Sequence, residues 1–244
     1  MSGILASIFA LILLLGNGTS AYRCQNVTIT IPKTDIGVIE IIDLGYANIT
    51  TAEEYQISGT LCLPNSGKPK IVQLLLHGVT YDRRYWDFPY GSGTYSYPKA
   101  AVDSFGFATL AIDRLGTGQS SWPPTLETAP NQQVATFHSI ADQLRKGRIG
   151  GIAFEKVVAV GHSRGALLIE YWAAVFPTDM DHIVLTGWYR DVDITTSVYK
   201  RFYSELVPVG QVHPNMEAPD SNYVTLSTED ARISFFFHSP MYDQ

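Results

Sequence analysis

Four short runs of almost uninterrupted apolar residues, at 71–76, 107–112, 156–160 and 183–186, constrain the fold more than any other feature of the chain. A strand wetted on one side alternates polar and apolar residues, so a continuous run marks a strand buried on both faces. Helix-length amphipathic segments lie between the runs, at 98–104, 132–145 and 164–176. Strand, helix, strand, helix predicts a mostly parallel sheet covered on both sides, the α/β class. Upstream, β-branched and alternating runs at 27–31, 38–42 and 55–61 predict short antiparallel strands. After Gly187 the regularity stops, apart from a helix expected to open near Ser227-Thr228-Glu229-Asp230 and to carry 233–237, on its Ser-x-x-Asp spacing. With 45% apolar and 16% charged residues over 244 positions, one large core is expected and not two. A net charge of −6 leaves no basic stripe for phosphates, which argues against nucleic acid as a partner.

Residues 4–15 are almost wholly apolar and lead into Gly16-Asn17-Gly18-Thr19-Ser20-Ala21. The run falls short of the ~20 residues a membrane span requires, so no stable span is expected. Thr19 and Ala21 are small enough for a signal peptidase, which predicts a leader over 1–21 and a secreted chain beginning at Tyr22. Two glycosylation sequons, Asn26-Val27-Thr28 and Asn48-Ile49-Thr50, fit that compartment. The two cysteines, Cys24 and Cys62, are expected to form a disulfide tying the new N-terminus to a later strand. In a chain-entropy picture such a staple adds roughly 3 to 4 kcal/mol.

Chemistry concentrates at Gly161-His162-Ser163-Arg164-Gly165, which follows a buried strand and precedes an apolar helix. This is the context of a nucleophile elbow, in which a serine sits on a turn so sharp that flanking side chains would collide with strand or helix. Ser163 is the candidate nucleophile. Acyl transfer puts negative charge on a carbonyl oxygen, and fixed backbone N–H groups stabilise it best. The expected donors are Arg164, just after the nucleophile, and Val79, in the loop Leu76-His77-Gly78-Val79-Thr80, with Gly78 permitting close approach. His77, beside a strand end, is expected to make structural hydrogen bonds. Ile112-Asp113-Arg114-Leu115-Gly116-Thr117-Gly118-Gln119-Ser120 follows another buried strand; its glycines open no helix, so no dinucleotide site is expected, and Asp113 reads as a loop organiser.

These three motifs, in this order over about 55–187, resemble the α/β-hydrolase superfamily, and specifically secreted, fungal-looking serine hydrolases. The resemblance implies an α/β-hydrolase fold, a small-molecule acyl substrate, an acyl-enzyme on Ser163, and no metal or organic cofactor. Because the elbow carries Ser and not Asp, it implies ester or related acyl chemistry and not that of dehalogenases or epoxide hydrolases; a proline-releasing peptidase shares the motifs. Tyr81, Tyr85, Trp86, Phe88, Tyr90, Tyr95 and Tyr97 form an aromatic loop suited either to an acyl pocket or to surface packing. Arg83 and Arg84 are expected to be solvated or paired with Asp82 and Asp87.

In such proteins the triad acid and base follow the nucleophile, in the order Ser, Asp or Glu, His. Asp191 and Asp193 come just after the strand ending near Gly187, and His213 and His238 come later, none in the expected strand-end context. Residues 188–244 are too few for two further strand-helix units of roughly 30 residues each together with a cap. The expected division is a leader at 1–21, a hydrolase core at 22–187 and the start of a cap at 188–244, with the last strands missing and the chain truncated. A hydrolase-fold binding protein without full catalytic machinery is the alternative. Oligomeric state is unconstrained.

Overall fold

The structure is a computed structural model that describes residues 22–36, 53–65, 67–188 and 196–237. The leader at 1–21, the strand expected at 38–42, Asn48, Asp191, Asp193 and His238 lie outside the described residues.

Strand β1 (Tyr22–Pro32) runs into a single turn, α1 (Lys33–Ile36), and pairs antiparallel with β2 (Glu54–Pro64) along its whole length. Both strands are longer than their apolar cores suggested, because cross-strand pairing continues into the polar ends. Cys24 stands opposite Cys62 in this ladder, and the two are joined as a disulfide. Next come β3 (Ile71–Leu76) and α2 (Tyr97–Lys99), the latter continuing as a π-helical stretch over Ala100–Ser104 in place of the regular helix expected at 98–104. Then follow β4 (Ala108–Ile112), α3 (Pro130–Arg145), β5 (Lys156–His162), α4 (Arg164–Val175) and β6 (His182–Thr186). The six-stranded sheet has the order β1-β2-β4-β3-β5-β6, antiparallel at β1 and β2 and parallel from β4 through β6.

The apolar runs are explained by this sandwiching. Leu74 and Leu76 of β3 face one core with Val134, Phe137, Ile140 and Leu144 of α3 and Leu168, Ile169 and Trp172 of α4. Leu75, between them, faces the other side with Ala111, Val160 and Trp86. The 183–186 run departs from the pattern: His182, Ile183 and Val184 are exposed, not buried on both faces. The reason is position, since among the described residues β6 ends the sheet and no strand pairs with its outer side.

Beyond Gly187 the described chain adds no further strand to this sheet. It forms α5 (Ser197–Ser204), β7 (Leu206–Pro208), α6 (Val209–Val212), β8 (Val224–Leu226) and α7 (Glu229–Phe236), with β7 and β8 as an antiparallel pair. Helix α7 begins one residue later than expected: the Thr228 hydroxyl caps it by accepting from the Ala231 N–H, while Ser227 donates to Glu205 across the segment. The segment is tied to the core at Tyr223, whose hydroxyl donates to the Pro123 carbonyl at 2.6 Å and whose ring stacks on Trp122 at 4.8 Å. Asp220 accepts from the Thr125 backbone N–H at 2.7 Å.

Candidate active site

The parallel register brings the motif loops together. Leu76 of β3 is level with Ile112 of β4 and Gly161 of β5, and Gly161 with Leu185 of β6. The residues that follow these strands, His77, Asp113, Ser163 and Gly187, therefore emerge side by side at the carboxyl edge of the sheet, where open α/β sheets place their sites.

Ser163 has φ 52° and ψ −117°, a backbone conformation comfortable only for glycine, and it immediately precedes α4. The bend is sharp enough that a Cβ on Gly161 would stand 2.6 Å from the Gly165 carbonyl carbon, and one on Gly165 would stand 2.3 Å from the Leu76 carbonyl oxygen. Neither position can hold a larger residue without backbone movement. Across from the serine, a Cβ on Gly78 would lie 3.2 Å from the Ser163 Cβ, so the loop after β3 passes directly against the elbow. Among the described residues only Ser163 and Thr80 (φ 63°) are non-glycine residues with positive φ, and Thr80 lies two residues from Gly78. No hydrogen bond takes up the backbone N–H of Val79 or Arg164 among the described residues, which leaves both free to donate.

His77 is fully buried and wholly engaged. Its Nδ1 donates to the Gly78 carbonyl at 2.8 Å, and its Nε2 accepts from the Arg114 N–H at 3.2 Å with Thr117 Oγ1 at 3.3 Å. Burial first, and the neighbouring Arg114 charge second, push its imidazole down to about 3, so the ring is neutral. It braces the loop. Arg114, itself buried, donates to the carbonyls of His77 and Gly78, both at 3.2 Å. Asp113 organises the next loop: it accepts from the Arg83 and Gln119 backbone N–H groups at 2.8 and 2.9 Å and from the Arg83 guanidinium. This corrects the pairing expected for Arg83, which turns inward to the buried Asp113, while Arg84 alone takes Asp82.

The aromatic loop divides its work. Trp86 packs beneath the sheet with Leu75, Ala111 and Val160, whereas Phe88, Tyr90 and Tyr95 are exposed. Tyr81 and Tyr85 face the elbow: the Tyr85 ring stacks on His162 at 4.7 Å, and Tyr81 meets Tyr85 at 5.2 Å and Phe236 of α7 at 5.5 Å. Phe202 of α5 packs edge-on against Phe235 and Phe236. The chain beyond 196 thus contributes rings to the neighbourhood of the serine, a contribution with no sequence signal beyond the Phe235-Phe236-Phe237 run. His213 is exposed at the end of α6, and among the described residues no hydrogen bond joins the Ser163 hydroxyl to any histidine. Nor do the described residues contain a cluster of His, Cys, Asp or Glu able to hold a metal ion, or a helix long and apolar enough to cross a membrane. Asn26 is exposed on β1, its Oδ1 accepting from Thr60.

A mostly parallel sheet with this strand order and a strained serine at the turn from β5 into α4 define an α/β-hydrolase fold. Residues 73–240 match the Alpha/beta hydrolase family, and the chain belongs to it. No curated protein sequence matches the chain. Solved structures similar to it include Epoxide Hydrolase A from Mycobacterium thermoresistibile (20% identity, TM-score 0.42, 54% of this chain and 35% of that one). Epoxide hydrolase VrEH1 from Vigna radiata is comparable (19%, 0.42, 59% and 39%), as is the alpha/beta hydrolase ALR0039 from Nostoc sp PCC 7120 (20%, 0.43, 64% and 50%). The matched region spans between about a third and a half of those chains.

Proposed function

We propose that the protein is a serine hydrolase of carboxylic esters or related acyl compounds. The observation that carries this reading is the backbone of Ser163, held at φ 52° at the N-terminus of α4 with the Gly78 loop against it. Ser163 Oγ attacks the acyl carbonyl carbon and loses its proton to a base. The N–H groups of Val79 and Arg164 receive the oxyanion, the alcohol leaves with a proton, and water then cleaves the acyl-enzyme. Tyr81, Tyr85 and Phe236 form an apolar wall for the acyl chain, and residues 188–244 act as a cap. Of the histidines expected to supply the base, His238 is favoured, because it follows Phe236 by two positions whereas His213 faces solvent; the orienting carboxylate falls to Asp191 or Asp193. The chain is read as secreted after removal of 1–21 and glycosylated at Asn26 and Asn48, a reading supported by the exposure of Asn26 and by the formed disulfide.

A second reading, a hydrolase-fold binding protein, is favoured by the absence of a histidine bonded to Ser163 among the described residues. A fluorophosphonate probe separates the two. Covalent labelling of the folded protein that disappears in Ser163→Ala is expected; folded protein that takes up no label, or label that persists in the variant, would sink the hydrolase reading.

A further inference from the structure

Four arginines lie on the loops after β3 and β4 and at the start of α4, and the described carboxylates serve only two of them. Asp113 takes Arg83 and Asp82 takes Arg84. Glu170, the one carboxylate of α4, accepts from the Trp188 indole at 2.9 Å. Arg114 and Arg164 are left without a carboxylate among the described residues. Arg114 is fixed by its bonds to the carbonyls of His77 and Gly78, in the same loop that touches Ser163. The His77 carbonyl in turn lies 2.9 Å from where a Cβ of Gly165 would stand, so this guanidinium sits one layer behind the first turn of α4. Arg164 opens that turn, half-buried, with no hydrogen bond or ion pair to its guanidinium among the described residues. Burial lowers the affinity of both groups for their protons, and the Arg164 charge acts on Arg114, which falls to about 9. Two like charges held out of water call for a counter-charge, and none of the described carboxylates supplies it.

We infer that the unmatched guanidinium of Arg164, backed by Arg114, binds a carboxylate carried by the substrate near its scissile bond. This rests on the hydrolase reading for its chemistry and narrows it to acidic esters, such as half-esters of dicarboxylic acids. Arg164 then has two separable parts: its N–H receives the oxyanion, which any side chain leaves in place, and its guanidinium selects the anion, suited by its fork geometry to a carboxylate.

Equilibrium binding tests the inference without turnover. In the Ser163→Ala protein, butyrate and butyramide are titrated at low ionic strength by calorimetry. Butyrate is expected to bind at least tenfold more tightly. In S163A/R164Q that preference should fall at least tenfold, with Arg164→Lys retaining part of it, and thermal melting of each variant establishes that it is folded. Equal affinity for acid and amide, no binding of either, or a preference that survives Arg164→Gln in folded protein overturns the inference. Failure of fluorophosphonate labelling would instead remove the hydrolase reading and leave the binding result standing.

Discussion

At the scale of single residues, the site rests on positions where nothing larger fits. Gly165→Ala places a methyl 2.3 Å from the Leu76 carbonyl oxygen, which is backbone and cannot swing away. The expected cost is about 3 kcal/mol, with a lowered urea midpoint as the readout. Ser163→Gly should do the opposite, relieving a φ of 52° and raising the melting temperature by an amount equivalent to about 1 kcal/mol while abolishing fluorophosphonate labelling. A melting temperature unchanged or lowered by that substitution would mean that the serine backbone is not strained. For the proposed base, His238→Ala should slow labelling roughly 100-fold or more and His213→Ala should leave it near the parent rate, measured as the second-order labelling constant.

Among elements, the loops after β3 and β4 are locked to each other by buried polar groups, and their pH response follows. A histidine whose folded affinity for a proton is depressed takes up protons more readily when unfolded. Stability contributed by neutral His77 is therefore full above its ordinary value near 6.5 and is lost progressively as pH falls toward about 3. His162, half-buried and also lowered by burial, acts in the same direction. Urea unfolding between pH 6.5 and 4.5 should show stability falling by about 1 kcal/mol per pH unit, and His77→Asn should flatten that slope. A slope unaltered by His77→Asn would show that other groups set it. Asp113→Asn, which leaves the inward-turned Arg83 guanidinium without its carboxylate, should cost about 3 kcal/mol in the same measurement. Much of this architecture was legible in the sequence. The apolar runs at 71–76 and 156–160 became β3 and β5, and the glycines at 161 and 165 announced the elbow, because burial on two faces and steric crowding each leave a local residue pattern. The inward turn of Arg83 was not legible, since an ion pair between residues 83 and 113 depends on how two loops emerge at one sheet edge. Nor was the exposure of β6, whose apolar composition matches a central strand although it stands at the edge among the described residues.

At the scale of the whole molecule, the environment of the serine is assembled from two distant stretches of chain, the loop at 81–85 and the rings of α5 and α7. The second stretch is fastened to the core through Tyr223, Trp122 and Asp220. Tyr223→Ala should therefore loosen residues 196–237 selectively, and limited proteolysis should cut there faster than in residues 67–188; uniform cleavage of both would refute a separable fastening. The same arrangement has a consequence in time. Phe236, which closes against Tyr81, is synthesised about 4–15 s after Ser163 at ordinary rates of chain elongation. Throughout that interval a nascent chain carries the serine turn and the Tyr81 and Tyr85 rings without the aromatic partner that covers them, and the site is open to other chains.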